Sequence, residues 1–202
     1  ALVRNISIKV KIILLVFFPA IGIVAFFSFT FYDTYIYMHA NTELTGMITL
    51  SVEVSNVSHQ LQIERGRTAG YMADRSPDSK AQIDEQRLNT DGVIAIFKDV
   101  IHTINVKKYD PAYVKQIEDA EKLLDELPEI RRRADAFELT SKDVITYYTK
   151  TISTLIDSVL IASNVSPDNN ITKILSGYTN FMYTKENAGL ERANGNVILR
   201  SK

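Results

Sequence analysis

The chain of 202 residues contains no cysteine and only three histidines. Without cysteine it can form no disulfide framework, thiol nucleophile or thiolate metal site. The histidines, His39, His59 and His102, stand singly along the chain and predict no metal cluster. The sequence also lacks a phosphate-binding loop and a histidine paired by motif with a nucleophile. We therefore expect neither an enzyme with catalytic residues nor a protein with a metal or cofactor.

Proline is scarce, with five residues, and its positions predict the breaks between helices. No proline separates Pro19 from Pro77, which predicts a first helix that runs unbroken to Met72. Strand alternation is missing, so long helices joined by short turns are expected. The predicted boundaries are a turn at 74–79, a second helix over 80–104, a third that opens at Pro111 and is kinked or interrupted at Pro128, a fourth capped by Thr140 or Ser141, a break at 164–170, and a fifth from Ile171 to the end.

The fold class expected from this pattern is all-α. It is an antiparallel up-down helical bundle whose first helix continues from an N-terminal transmembrane helix. The RRRAD run at 131–135 is interpreted as a solvated face of the third helix, with a partner contact as the alternative.

From Ile12 to Tyr32 the chain carries no formal charge. As a helix this run spans about 31 Å, which matches the hydrocarbon core of a bilayer. Tyr32, Tyr35 and Tyr37 are typical of an aromatic belt at its end. We predict a cytoplasmic N-terminus over 1–11, a transmembrane helix over 12–37 and an exported helical domain over 38–202. A cleaved signal peptide is the alternative, although the apolar run is long for one.

The charges flanking the apolar run give its orientation. Arg4, Lys9 and Lys11 precede it and Asp33 and Glu43 follow, so the N-terminus is expected in the cytoplasm of an inner membrane protein and the remainder in the periplasm or outside the cell. The exported part has more acidic than basic residues, so any anion site must be a local arrangement. Nucleic acid is not an expected partner.

Two segments place charge or glycine where a helix seam should be apolar. In QLQIERGRTAGYM (60–72), steps of three and four from Leu50 bring Glu64 into the seam. In KENAGLERANGN (185–196), the corresponding steps bring in Lys185, Gly189 and Arg192. The first-helix seam reads Leu50, Val54, Val57, Leu61, Glu64, Thr68 and Tyr71; the fifth reads Tyr178, Met182, Lys185, Gly189, Arg192, Asn196 and Leu199.

A buried charge must be paired or must face a ligand. If the two segments lie side by side and Glu64 pairs with Lys185, then Arg65 and Arg192 can converge on a small planar oxyanion, which suits the arginine fork. Small residues on both helices, including Gly66 and Gly189, would allow close approach. The alternative is a set of interhelical salt bridges with nothing bound. The ligand-binding prediction is Arg65, Arg192 and Lys185; the predicted supporting residues are Glu64, Thr68, Glu186, Gly189 and Glu191.

The two motifs, QLQIERGRTAGYM followed by KENAGLERA, resemble the NIT domain, the nitrate- and nitrite-sensing module of bacterial signalling proteins. The resemblance covers about Leu50 to the C-terminus. It implies an all-helical domain of packed four-helix bundles and anion-holding arginines, here Arg65 of ERG and Arg192 of LER. The family's domain normally continues beyond the second motif and into a second membrane span, so this chain is expected to be part of a longer protein.

The resemblance implies a membrane-embedded sensor of nitrate, nitrite or a similar small inorganic anion. The membrane-anchored layout favours a methyl-accepting chemotaxis receptor, and a homodimer is expected. A histidine kinase or cyclase sensor region is the first alternative. The second is a helical module that docks a periplasmic binding protein without binding an anion itself.

Overall fold

The computed structural model describes the backbone of residues 7–165 and 169–200, and the side chains of 7–35, 44–165 and 169–191. Every regular element in these ranges is helical, as the sequence predicts. The chain divides into two compact units, Ala1–Glu43 and Leu44–Lys202, and helix α1 contains residues of both. The helices are α1 (Ile8–Asp74), α2 (Pro77–Thr103), a short 3-10 helix (Val106–Lys108), α3 (Pro111–Asp135), α4 (Ser141–Val165) and α5 (Asn169–Arg200).

The first unit contains the apolar part of α1. Its segment Ile8–Tyr35 is long and apolar enough to cross a membrane. All of its side chains are exposed, unlike those of an apolar helix in a protein core. A helix with large apolar side chains on every side is suited to lipid rather than to water.

In the second unit, side-chain caps start the helices. The Ser76 hydroxyl accepts a hydrogen bond from the Ser79 amide at the start of α2. Asp110 caps α3 just before Pro111, which confirms Pro111 as a first-turn proline. Thr140 and Asp143 bond each other's backbone amides and so form a capping box at α4. Of the two residues predicted to cap α4, Thr140 is therefore the one that does so.

Two predicted breaks differ in the structure. Helix α3 runs through Pro128 without interruption. Pro128 itself is exposed, while Leu124, Leu127 and Arg131 nearby on α3 are buried and hold the helix against its neighbours. The predicted turn at 74–79 shrinks to two residues between α1 and α2, because Pro77 opens α2 itself.

The core of the second unit lies along the predicted seam of α1. Leu50, Val54, Val57 and Leu61 are at most 1% exposed. They belong to one hydrophobic cluster with apolar residues of the other helices. The seam then changes character at Glu64, which is fully buried and is followed by the buried Arg65.

The connection between α2 and α3 packs on α1 at Gly46. A methyl group added at Gly46 would overlap the Tyr109 hydroxyl and come within 3.6 Å of Ile104 Cβ. Tyr109 in turn packs edge-on against Tyr113 at the start of α3. Glycine is needed here because the tyrosine occupies the space of a side chain.

Candidate functional site

Glu64 is the centre of a buried charge network between four helices. It accepts hydrogen bonds from Arg131 Nε at 2.7 Å and Nη2 at 2.9 Å, and from the Tyr148 hydroxyl at 2.7 Å. Arg131 Nη1 also bonds Asp91 Oδ1 at 2.6 Å. The buried residues Glu64, Arg131 and Tyr148, together with the exposed Asp91, thus form a charge network that joins α1, α3, α4 and α2.

The pKa values in this network follow from burial and pairing. Burial by itself lowers the pKa of Arg131, but hydrogen bonds and charge from Glu64 and Asp91 outweigh it and raise that pKa above its usual range. Burial and the adjacent Glu64 carboxylate raise the pKa of Tyr148 well above its ordinary value. Arg131 therefore stays charged and Tyr148 stays a neutral hydrogen-bond donor.

Two sequence interpretations are corrected by this network. Glu64 pairs with Arg131 and not with Lys185, and the RRRAD run is not simply a solvated face because Arg131 is 9% exposed. Arg132 and Arg133 in the same run are more open and pair with carboxylates near the surface. The signal was present in α3, where steps of three and four through Ala120, Leu124 and Leu127 lead to Arg131.

Arg65 forms a separate ion pair between α1 and α5. Its Nη1 and Nη2 reach the two carboxylate oxygens of Glu186 at 2.5 and 3.2 Å. Nη1 also donates to Thr149 Oγ1 of α4 at 2.9 Å, and Gln62 Nε2 donates to Glu186 Oε2 at 2.9 Å. Arg65 and Glu186 are each 2% exposed. This geometry is the bidentate fork that arginine makes with planar oxyanions.

The seam of α5 is offset from the predicted one. Leu175, Thr179, Met182 and Glu186 are buried, whereas Lys185 is exposed. Counting from Leu175 rather than from Tyr178 gives the observed seam, and it selects Glu186 directly. Glu186, which the sequence predicts as a supporting residue, lies directly against Arg65.

Lys185 lies at the exposed edge of the contact between α5 and α1. Its Nζ lies 3.0 Å from Nδ1 of the exposed His59. Burial lowers the pKa of Lys185, and burial together with the Lys185 charge lowers that of His59. A neutral His59 ring accepts a hydrogen bond from the ammonium group. Lys185 therefore contacts α1 at His59 rather than at Arg65.

The other residues predicted at the site differ in their surroundings. Gly189 lies under Arg65: a methyl group there would sit 3.3 Å from Nη2, so its small size makes room for the guanidinium. Thr68 is 1% exposed, one turn beyond Glu64, and Glu191 is exposed. Gly66 has open space around it and is not a point of close approach. The side chain of Arg192 lies outside the described residues.

The fold and the geometry define the class of the second unit: a helical bundle whose interior holds an arginine fork between α1 and α5. The model of the NIT family, described as nitrate and nitrite sensing, matches residues 56–202, and the chain belongs to this family. The match includes both motif segments and therefore both partners of the Arg65–Glu186 pair.

A solved structure, that of the NasR transcription antiterminator, shares the fold. The similarity has a TM-score of 0.76 at 22% sequence identity, over 87% of this chain and 47% of that one. The chain thus spans about half the length of the protein it resembles. No curated protein matches the chain.

Proposed function

We propose that this chain is the ligand-sensing region of a bacterial transmembrane receptor, and that Arg65 binds nitrate or nitrite between α1 and α5. The observation that carries the proposal is the Arg65 fork. It is buried in the motif segment of a family described as nitrate and nitrite sensing. Its two terminal nitrogens are spaced for two oxygens of one planar anion.

The surroundings of Arg65 support an anion site of small size. Thr149 supplies a hydroxyl beside Nη1, and Gly189 leaves the space next to Nη2 free of a side chain. Arg192 stands three residues beyond Gly189 on α5, and we propose it as the second arginine of the site. Lys185, at the rim, adds positive charge to the approach.

Helix α1 provides the link between the proposed anion site and the membrane. It carries both Arg65 and the apolar segment Ile8–Tyr35. An anion that binds the two signalling states with different affinity shifts their populations. A helix displacement of about 1–2 Å at the α1–α5 contact is typical of such switches.

We place the N-terminus in the cytoplasm and the bundle outside the inner membrane, and we favour a chemotaxis receptor over a histidine kinase or cyclase.

We also propose a homodimer. Ile48 and Val52, one turn apart on α1, are 38% and 48% exposed and offer an apolar face for it. Light scattering on the detergent-solubilised chain should give twice the protomer mass, and this value should fall to one protomer when both residues are changed to lysine.

Calorimetry on the full chain in lipid nanodiscs tests the anion site. Nitrate should give a saturable heat, and Arg65→Lys, which keeps the charge but loses the fork, should weaken binding by roughly tenfold or more. Arg67→Lys is the matched control, because Arg67 is also on α1 and donates to the Gln82 carbonyl rather than towards α5. A folded wild-type protein without nitrate binding would contradict the proposal and favour the docking of a protein partner.

A further inference from the structure

A carboxylate of α5 is already bound to the two terminal nitrogens of Arg65. The Glu186 carboxylate accepts from both terminal nitrogens of Arg65. A carboxylate, a nitrate and a nitrite all present two oxygens of one planar group, so Glu186 offers Arg65 the same acceptors as such an anion. We propose that Glu186 is an intramolecular competitor of the anion and sets how tightly an anion must bind Arg65 to occupy the site. This inference rests on the proposed function, in which Arg65 binds nitrate or nitrite.

Burial favours replacement of Glu186 over addition of an anion beside it. Arg65 and Glu186 are each 2% exposed, and their charges compensate one another. An anion added to this neutral pair would bring a buried negative charge that Arg65, already paired with Glu186, does not compensate, which is costly. An anion that takes the place of the Glu186 carboxylate keeps one negative charge opposite Arg65. Replacement therefore preserves the charge balance of the interior.

Replacement changes the contact between α1 and α5. Glu186 holds α5 to α1 through Arg65 and through the amide of Gln62. The residues on either side of it, Lys185 and Asn187, are exposed, so a rotation of α5 about its axis brings the carboxylate towards water. The displaced carboxylate is hydrated there, and the two helices lose a direct ion pair. Anion binding is thereby linked to a change in the relative position of α1 and α5.

Competition with Glu186 also sets a threshold for binding. An incoming anion must make up for two charge-assisted hydrogen bonds to Arg65. Nitrate and nitrite can form both bonds, whereas a spherical chloride cannot provide two oxygens for the fork. Displacement of the carboxylate costs each anion the same, so nitrate and chloride should both bind more tightly when Glu186 loses its charge.

Glu186→Gln is the direct test, because glutamine keeps the size of the side chain but presents one acceptor oxygen and an NH2 group. Calorimetry with nitrate and with chloride should show nitrate binding strengthened by roughly 10- to 100-fold, the effect of one charge-assisted hydrogen bond. Chloride binding should strengthen by a similar factor, because both anions displace the same carboxylate. Glu85→Gln, at an exposed position on α2, is the matched control and should bind as wild type does.

A second variant and a second readout keep the test decisive. Glu186→Asp retains the charge but shortens the reach by one methylene, and its nitrate affinity should lie between those of wild type and Glu186→Gln.

Distances between spin labels on α1 and α5 give an independent readout. Because the chain lacks cysteine, the labels can be placed at Asn56→Cys and Asn187→Cys, exposed positions on these two helices. Glu186→Gln without nitrate should give the label distances of nitrate-saturated wild type.

Two failures are distinguishable. If the folded wild type and both Glu186 variants bind no nitrate, the proposed function is wrong and the competition with it. If wild type binds nitrate but Glu186→Gln binds it equally or more weakly, or leaves the label distances unchanged, Glu186 supports Arg65 and does not compete. The competition is then overturned while the nitrate site remains.

Discussion

Glu64 and Arg65 adjoin in the sequence but belong to different ion pairs. Successive residues of a helix point about 100° apart, so Glu64 faces Arg131 of α3 while Arg65 faces Glu186 of α5. Glu64 is fully buried, and its carboxylate accepts three hydrogen bonds from Arg131 and Tyr148. Its role is to hold four helices together around the site.

Removal of one partner from this network should be strongly destabilising. Arg131→Gln leaves Glu64 buried without its counter-charge, and we expect a loss of about 3–5 kcal/mol in the free energy of unfolding. Arg132→Gln is the same change one residue away, at a side chain that is 56% exposed, and should have little effect. Chemical denaturation followed by circular dichroism measures both, and equal losses would contradict the structural role given to Arg131.

His59 should make stability depend on pH. Burial and Lys185 lower its pKa in the folded chain from the ordinary 6.5. The unfolded chain therefore takes up the proton first, and stability should fall as the pH drops below about 6.5. In His59→Gln, whose amide oxygen can still accept from Lys185, melting temperatures between about pH 7.5 and pH 5 should fall less steeply. Parallel curves for the two proteins would contradict this assignment.

At the scale of the elements, periodicity predicted much of the structure and its limits are physical. The seam of α1 was predicted correctly through Thr68 because one apolar face is buried along its length. The seam of α5 was offset by one residue, since Tyr178 and Leu175 are both apolar and only tertiary packing decides which one faces inward. Glu64 and Arg131 are 67 residues apart in the sequence, so no local pattern indicates that these two residues pair.

The stability of the fold should be sensitive to a larger side chain at Gly46 of α1, on which the α2–α3 connection packs. Gly46→Ala forces a methyl group against the Tyr109 hydroxyl, and we expect a loss of about 1–3 kcal/mol in stability. Tyr109→Phe in the same chain should recover much of the loss, because the next ring atom, Cζ, is 3.5 Å from the added carbon. Gly92→Ala, in open space on α2, should stabilise by up to about 1 kcal/mol. Thermal melting of the single and double variants measures these effects.

At the scale of the whole molecule, the proposed orientation of the chain in a membrane can be tested by labelling. The absence of cysteine allows single labels at Ser7→Cys and Asn89→Cys, both exposed. In intact cells with a permeabilised outer membrane, an impermeant maleimide should label Asn89→Cys, and Ser7→Cys should react only after lysis. The reverse pattern would invert the proposed orientation, which depends on the basic residues before the span.

Binding of the anion by Arg65, as proposed above, can be followed through the NMR signals of the Arg65 guanidinium. In the nitrogen-labelled chain, the Nε–H signal lost in Arg65→Lys identifies Arg65, and nitrate should shift it in a saturable manner. Chloride at the same concentration should shift it less, and the signal of Arg131, whose partner is Glu64, should stay in place. Saturable nitrate binding that leaves the Arg65 signal unchanged would contradict the account.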